Sequence, residues 1–323
     1  MARVSKLPKR LQPMLATLTD APFDDAGWVF ETKWDGNRMV ATIEKGRVTL
    51  YSRNGKIVSD HYVPVAKALE KIAHDAVIDG ELVALDKHGI SRFQLLQNAL
   101  RATTTLRYCI FDLMALDGED MRHLPLTERK KQLESILPRD RLLSFSDHRW
   151  THGKRYFKEA ERRGLEGIMA KRAESRYLSA TRSTDWLKIK TVKRQEVVIV
   201  GFTAPRRSRP HFGSLVLAVR NEGAWRYVGH VGTGFSHAAL KTIHARLQPL
   251  RKPSSPFQER VKDEANTTWV ELKLVAEVKF TEWTAAGEMR HPAFIGLRED
   301  KKPEDVVVEV ATRRKIPAGG GHK

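Results

Sequence analysis

Apolar and polar positions along the chain predict a mixed α and β protein. Residues 28–34 form a candidate strand that delivers Lys33 near its end, and 38–44 with 47–52 alternate as paired strands around Lys45-Gly46. Arg53-Asn54-Gly55 follows as a turn with an arginine at its entrance. Val65, Ala68, Leu69 and Ile72 have helical spacing and predict an amphipathic helix over 63–73. Residues 76–85 and 106–116 are apolar strands, the first interrupted by Asp79 and Glu81, and a buried carboxylate is costly without a cation or hydrogen bonds. Helices are predicted over 93–100, over 128–136 with Thr127 as cap, and over 154–163 ending at Gly164. Two further strands follow: 165–172, with Glu166 set into it, and 186–190, with Lys188 and Lys190 on one face. From Gln195 the texture changes to short strands over 197–202, 214–220, 224–229 and 270–280, with one helix over 237–247, the pattern of a small β-barrel.

A length of 323 residues favours two domains over one core. Lysine and arginine outnumber aspartate and glutamate 57 to 39, a net charge of +18 that favours a polyanionic partner such as nucleic acid. Charge alone does not separate that from a ribosomal or membrane-surface role. Cys109 is the only cysteine, so no intrachain disulfide forms and a buried thiol in a reducing compartment is expected. The basic start Met1-Ala2-Arg3-Val4-Ser5-Lys6 has no apolar segment behind it, and no run approaches the roughly 18 apolar residues of a membrane span, so a soluble, cytoplasmic protein is expected.

The candidate chemistry centres on Phe30-Glu31-Thr32-Lys33-Trp34-Asp35-Gly36-Asn37-Arg38. An ordinary lysine, with a pKa of about 10.4, is protonated at neutral pH, so Lys33 acts as a nucleophile on phosphorus only if its pKa falls, which calls for cationic neighbours. Asp35 and Arg38 would orient the amine and hold a phosphate, with Gly36 allowing the tight backbone between them. Taken singly, each residue has an ordinary alternative as part of a charged strand end. Together, Lys33, Glu81, Glu166, Lys188 and Lys190 compose an amine, a carboxylate pair suited to Mg²⁺ and a phosphate cradle, if the strands converge.

Lys33-Trp34-Asp35-Gly36-Asn37-Arg38 resembles the KxDGxR signature of the covalent nucleotidyltransferases, which include ATP-dependent DNA ligases, RNA ligases and mRNA capping enzymes. Ser52-Arg53-Asn54-Gly55, Asp79-Gly80-Glu81-Leu82, Phe111-Asp112, Glu166-Gly167-Ile168-Met169-Ala170-Lys171 and Trp186-Leu187-Lys188-Ile189-Lys190 resemble the later motifs in order, and Arg298-Glu299-Asp300-Lys301 resembles the last, RxDK. The likeness covers about residues 10 to 305 and extends to the ligase module of bacterial non-homologous end-joining DNA ligases.

The resemblance implies an α+β fold: an ATP-grasp-like nucleotidyltransferase domain of antiparallel sheets with flanking helices over 1–192, then an OB-fold β-barrel over 193–310, with a basic, Gly-rich disordered tail over 311–323. It implies that Lys33 takes AMP from ATP, that Glu31 reads the adenine amino group and that Phe111 stacks on the base, although periodicity alone makes Phe111 a core aromatic. Arg38 and Arg53 would hold ribose and phosphate, Arg182 would contact the nucleotide, and Lys188 and Lys190 would face the α-phosphate. Glu81 and Glu166 would hold Mg²⁺ or Mn²⁺, and Arg298 and Lys301 would reach the pyrophosphate when the barrel closes about a hinge at Lys193-Arg194. Asp35 is either an orienting neighbour or a participant in nick sealing. Arg206-Arg207-Ser208-Arg209-Pro210 is a basic loop that either tracks a DNA backbone or merely solubilises.

The function expected is ATP-dependent sealing of 5′-phosphate/3′-hydroxyl DNA breaks through a lysyl-AMP, in repair or end joining, by a stand-alone monomer that calls on a helper such as Ku. The alternatives are an RNA ligase, a GTP-using capping enzyme, or a non-catalytic basic DNA-binding protein.

Overall fold

The computed structural model describes residues 12–19, 21–98, 105–205 and 210–309. The basic N-terminus, the 206–209 loop and the tail from 311 lie outside the described residues. The chain forms two compact units, the first ending at Thr191 and the second spanning Val192–Glu309.

The first unit runs β1 (Leu15–Leu18), β2 (Asp25–Thr32), β3 (Asn37–Glu44), β4 (Arg47–Ser52), α1 (Val63–Leu69), β5 (Ala76–Leu85), α2 (Phe93–Asn98), β6 (Thr105–Leu116), β7 (Glu119–Asp120), α3 (Leu126–Ile136), β8 (Leu143–Phe145), β9 (His148–Thr151), α4 (Gly153–Arg163), β10 (Gly167–Arg172) and β11 (Arg182–Lys190). These strands make two sheets, one ordered β1-β11-β10-β2-β9 and the other β4-β3-β5-β6-β7, with β8 alongside β6. The predicted hairpin is present, with Met39 opposite Ser52 and Glu44 opposite Arg47. Lys45 and Gly46 turn it with φ of 50° and 74°, the left-handed values such turns require.

Period-two alternation assigns each strand two environments. Phe30, Ile168, Ala170, Leu187 and Ile189 pack beneath α4 against Tyr156 and Ala160, and burying an aliphatic or Phe side chain of this kind contributes roughly 1.5–3 kcal/mol. Val29 and Trp186 face the other way, into a seam between the sheets shared with Met14, Val40, Val77, Phe111 and Tyr177. Across the second sheet, Ala41, Ile78 and Ile110 meet Val65 and Leu69 of α1 and Leu133 of α3. Cys109 is a free, buried thiol that burial pushes up to about 12.

Two predicted helix ends differ. The first helix stops at Leu69 and tightens into a turn closed by Lys71 N–H to Ala68 O and Ile72 N–H to Leu69 O, which still buries Ile72. Thr127 is no cap: α3 begins at Leu126, two residues before the expected start, after Pro125, and the Thr127 amide donates to Ala173 O at 3.2 Å. As predicted, α4 ends on Gly164 at φ 66°.

The second unit comprises β12 (Arg194–Thr203), β13 (Leu215–Asn221), β14 (Ala224–Val231), α5 (His237–Leu247), β15 (Arg251–Lys252), β16 (Thr267–Lys279) and β17 (Ala293–Leu297). Its sheet is ordered β14-β13-β12-β16-β15, with β17 also paired to β16. A bridge from Thr233, just past β14, to Ala293 of β17 closes the ring, with Phe294 N–H donating to Thr233 O at 2.9 Å. A bulge at Val200 bends β12, and Gly201 lets Trp269 and Thr267 pack where a Cβ would stand about 3 Å from them. Ser236 caps α5 by accepting from Ala239 N–H. This is an OB-fold barrel. No helix among the described residues is long and apolar enough to cross a membrane.

Candidate active site

Strand parity decides which side chains meet. The Lys33 amide donates to Gly167 O at 3.0 Å, carrying the β2–β10 ladder one step past Thr32. Gly167 opposes Lys190, Met169 lies between Glu31 and Lys188, and Lys171 lies between Val29 and Trp186. Alternation therefore sets Glu31, Lys171, Lys188 and Lys190 on the seam face, with Lys33 following in the same parity. Gly167 is required by close approach, since a Cβ there would sit 2.1 Å from Ile189 O.

The second sheet supplies the opposing wall. Arg38 on β3 is opposite Glu81 on β5. Its guanidinium grips the fully buried Asp79 through Nε and Nη2, both at 2.5 Å, while Tyr177 donates to the same carboxylate at 2.6 Å. The buried carboxylate of β5 thus has the cation its strand demands. Arg38 also stacks 4.6 Å from the Phe111 ring centroid, so Phe111 is both a core aromatic and a wall of the site. Arg53 is half-buried in the turn closed by Gly55 N–H to Ser52 O.

The charges around Lys33 have the opposite sign from the sequence expectation. Its Nζ donates to Glu166 Oε1 at 2.6 Å. Burial is the largest single influence and lowers the lysine pKa, but Glu166, by charge and hydrogen bond, together with Glu81 and Asp35 outweighs it, so the ammonium is held above the ordinary lysine value. The neighbours that dominate are anionic because the sheet places Glu166 beside Gly167, the residue that anchors the Lys33 backbone. Asp35 is buried and accepts from Phe93 N–H at 3.4 Å, while its own amide donates to Ser91 Oγ at 3.0 Å. These contacts make it a holder of the turn. Gly36 serves by close approach, since a Cβ would lie 2.1 Å from Leu82 O of β5.

Several residues at the site carry no assignment from the sequence. Lys171 Nζ donates to Glu31 Oε2 at 2.8 Å and sits 4.3 Å from both the Phe111 and Trp186 ring centroids. Burial pushes its pKa down to about 8 against the opposing charge of Glu31, with Lys130 adding to the fall. Lys171 was findable, because it shares strand parity with Glu166's neighbour Gly167 and with Met169. Lys130 and Arg129, both buried on α3, were not. Arg129 forks onto Asp112 at 2.7 and 2.8 Å, fixing the residue after Phe111. A run of arginine and lysines on a helix looks like a solvated face.

Arg182 opens β11 and donates to Ala16 O at 2.6 Å. Arg298 and Lys301 belong to the second unit. There Arg298 grips Asp300 at 2.9 and 2.8 Å and Glu277 at 3.1 Å, and Lys301 meets Glu196 at 2.6 Å.

Residues 13–190 match the model of the ATP dependent DNA ligase domain, and 208–301 that of the ATP dependent DNA ligase C terminal region. The multifunctional non-homologous end joining protein LigD of Pseudomonas aeruginosa is 39% identical over 313 residues, spanning 94% of this chain and 37% of that protein. LigD of Mycobacterium bovis is 38% identical over 304 residues, 93% of this chain and 40% of that protein. The chain thus spans about two fifths of the length of these relatives. Among solved structures, mycobacterial DNA ligase D complexed with ATP and MES superposes with a TM-score of 0.71 at 36% identity, covering 92% of this chain and 98% of that one. The ligase domain of Mycobacterium tuberculosis LigD gives 0.53 at 37% identity, covering 93% and 98%.

Proposed function

The chain belongs to the ATP-dependent DNA ligase family, and on that premise we propose that it seals 5′-phosphate/3′-hydroxyl breaks in DNA through a lysyl-AMP on Lys33, in repair by end joining. The observation that carries this reading is the placement of the Lys33 amine, 2.6 Å from Glu166, on the sheet face that also bears Glu31, Lys188 and Lys190.

Lys33 Nζ attacks the α-phosphorus of ATP. Before attack the Lys33 ammonium gives one proton to Glu166, which already accepts a hydrogen bond from it, and so frees the lone pair. The N–P bond then forms, the bond to pyrophosphate breaks and carries its electron pair away, and the second N–H proton leaves with the departing pyrophosphate. Lys188 and Lys190 neutralise charge on the α-phosphate, Arg38 and Arg53 hold ribose and phosphate, and Phe111 stacks on adenine. AMP then passes to the DNA 5′-phosphate, and attack by the 3′-hydroxyl expels it as the phosphodiester forms.

Glu81 and Glu166 offer hard oxygen donors close enough to Lys33 to act on its charge, and among the described residues no group of three or more His, Cys, Asp or Glu gathers to hold a metal. Two carboxylates completed by substrate phosphates fit Mg²⁺ or Mn²⁺. Such an ion would supply charge neutralisation at the phosphates.

The OB-fold barrel supplies a second nucleic-acid surface and, by closing about Lys193-Arg194, brings Arg298 and Lys301 to the pyrophosphate. The protein works as a cytoplasmic, nucleoid-associated monomer, with Ku presenting the ends. Incubation with α-labelled ATP or GTP tests the reading: a protein-bound label from ATP alone, absent in Lys33→Ala, is expected. Label from GTP points to a capping enzyme, preference for nicked RNA to an RNA ligase, and no label from either nucleotide to a non-catalytic DNA-binding protein.

A further inference from the structure

Glu31 is 1% exposed and sits between two buried ammonium groups, yet its Oε1 has no hydrogen-bond donor among the described residues. Lys130 Nζ lies 3.0 Å from that oxygen, but off the direction a hydrogen bond needs, so the contact is ionic and Oε1 keeps its accepting capacity. A buried acceptor without a donor is costly in a folded protein and points to a ligand that supplies one. His148, opposite Glu31 in the β2–β9 ladder, likewise leaves a buried Nδ1 without a partner.

Lys130 is held from three sides. Its ammonium donates to Ser146 O at 2.7 Å, lies 4.6 Å from the Phe145 ring centroid and meets Glu31. Ser146 in turn accepts, through Oγ, the indole N–H of Trp34 at 3.0 Å. Trp34 is the residue after Lys33, so one buried lysine ties the acceptor at one end of the Glu31–Trp34 stretch to the nucleophile's neighbour at the other.

We propose that Lys130 is a positioning residue for base selection, fixing Glu31 so that Oε1 faces the 6-amino group of an adenine nucleotide and discriminates against 6-oxo purines. This rests on the reading of the site as an ATP pocket. Lys130 directs one of its three N–H donors at Ser146 O and meets Glu31 Oε1 off the hydrogen-bond direction, so it lends Glu31 charge and leaves the oxygen's lone pair for the ligand. Lys171, bonded to Oε2, fixes the other oxygen, so the carboxylate cannot rotate to satisfy itself.

The test is the ratio of kcat/KM for lysyl-nucleotide formation with ATP over inosine triphosphate, whose base bears oxygen where adenine bears the amine. In Lys130→Met the ratio should fall roughly ten- to a hundredfold, the value of a well-placed hydrogen bond to a charged group, and the loss should appear in KM for ATP rather than in kcat. Lys130→Arg, which keeps the charge, should recover the ratio to within about threefold of the native chain. A purely structural role would lower both nucleotides alike, so an unchanged ratio in K130M overturns the inference.

If K130M does not melt cooperatively, crystals of the native chain with an ATP analogue bridged by methylene between the α and β phosphorus decide. Glu31 Oε1 on the 6-amino group with Lys130 still within about 4 Å of the carboxylate supports the inference, and the absence of either contact overturns it. Failure of the native chain to form any adduct with ATP defeats the ligase reading instead and is recognised before any variant is made.

Discussion

Replacing Arg129 by methionine removes one half of a pair that water does not reach. Both Arg129 and Asp112 have side chains 0% exposed. The guanidinium makes two bonds to the carboxylate, one to Leu124 O at 2.6 Å and one to Ser175 O at 2.8 Å. In R129M the Asp112 charge keeps the Leu113 amide at 2.8 Å but loses its cation, and two buried carbonyls lose a donor. Breaking a buried pair from one side costs about 3–5 kcal/mol. For a folding unit of this size each kcal/mol lowers Tm by about 2–4 °C, so a fall of roughly 6–20 °C is expected by circular dichroism or calorimetry. Because Asp112 follows Phe111, KM for ATP in lysyl-AMP formation should rise as well. The double variant Arg129→Met/Asp112→Leu should recover much of the lost stability, since it removes both charges together. A single-variant loss of less than about 1 kcal/mol, or a double variant no better than the sum of the two single losses, would refute the reasoning.

Gly36→Ala places a methyl against Leu82 O, so the turn carrying Asp35 must shift; adduct formation should fall by an order of magnitude or more, measured as initial rate at saturating ATP. For Lys33, the dominant carboxylate Glu166 raises the pKa, so the rate of adduct formation should climb with pH in the alkaline range, and Glu166→Gln should move that climbing limb to lower pH whatever it does to the maximum rate. A limb that stays put would show that Glu166 does not set the charge of Lys33. Lys171, at about 8 in the folded protein against 10.5 unfolded, loses its proton more readily when folded. Unfolding free energy should therefore rise with pH between those values, a rise absent from Lys171→Met in urea titrations, where both chains otherwise titrate alike.

The strands were legible because their chemistry is periodic. Residues 76–85 were bounded correctly, and the two carboxylates inside them announced a buried cation, which proves to be Arg38 on Asp79. The motif order also located the carboxylate now found on Lys33. What failed was the sign of the charge at Lys33, because one-dimensional spacing shows which lysines lie near in sequence and not which carboxylate the ladder brings within reach. Arg129 and Lys130 were illegible for a related reason: a helix that buries charge looks identical, residue by residue, to one that exposes it until the acids it meets are known. The shortened α1 and the displaced start of α3 are boundary effects decided by tertiary hydrogen bonds, Thr127 to Ala173 among them.

Cys109, the chain's only cysteine, is unreactive where it lies, since it is buried and its thiol is held up near 12. The native protein is therefore already a blank background for site-directed labelling. One cysteine added on α4 and another on α5 would be the sole reactive thiols, and a dye pair attached there would report the distance between the two units through each step of adenylation without any change to the native sequence elsewhere.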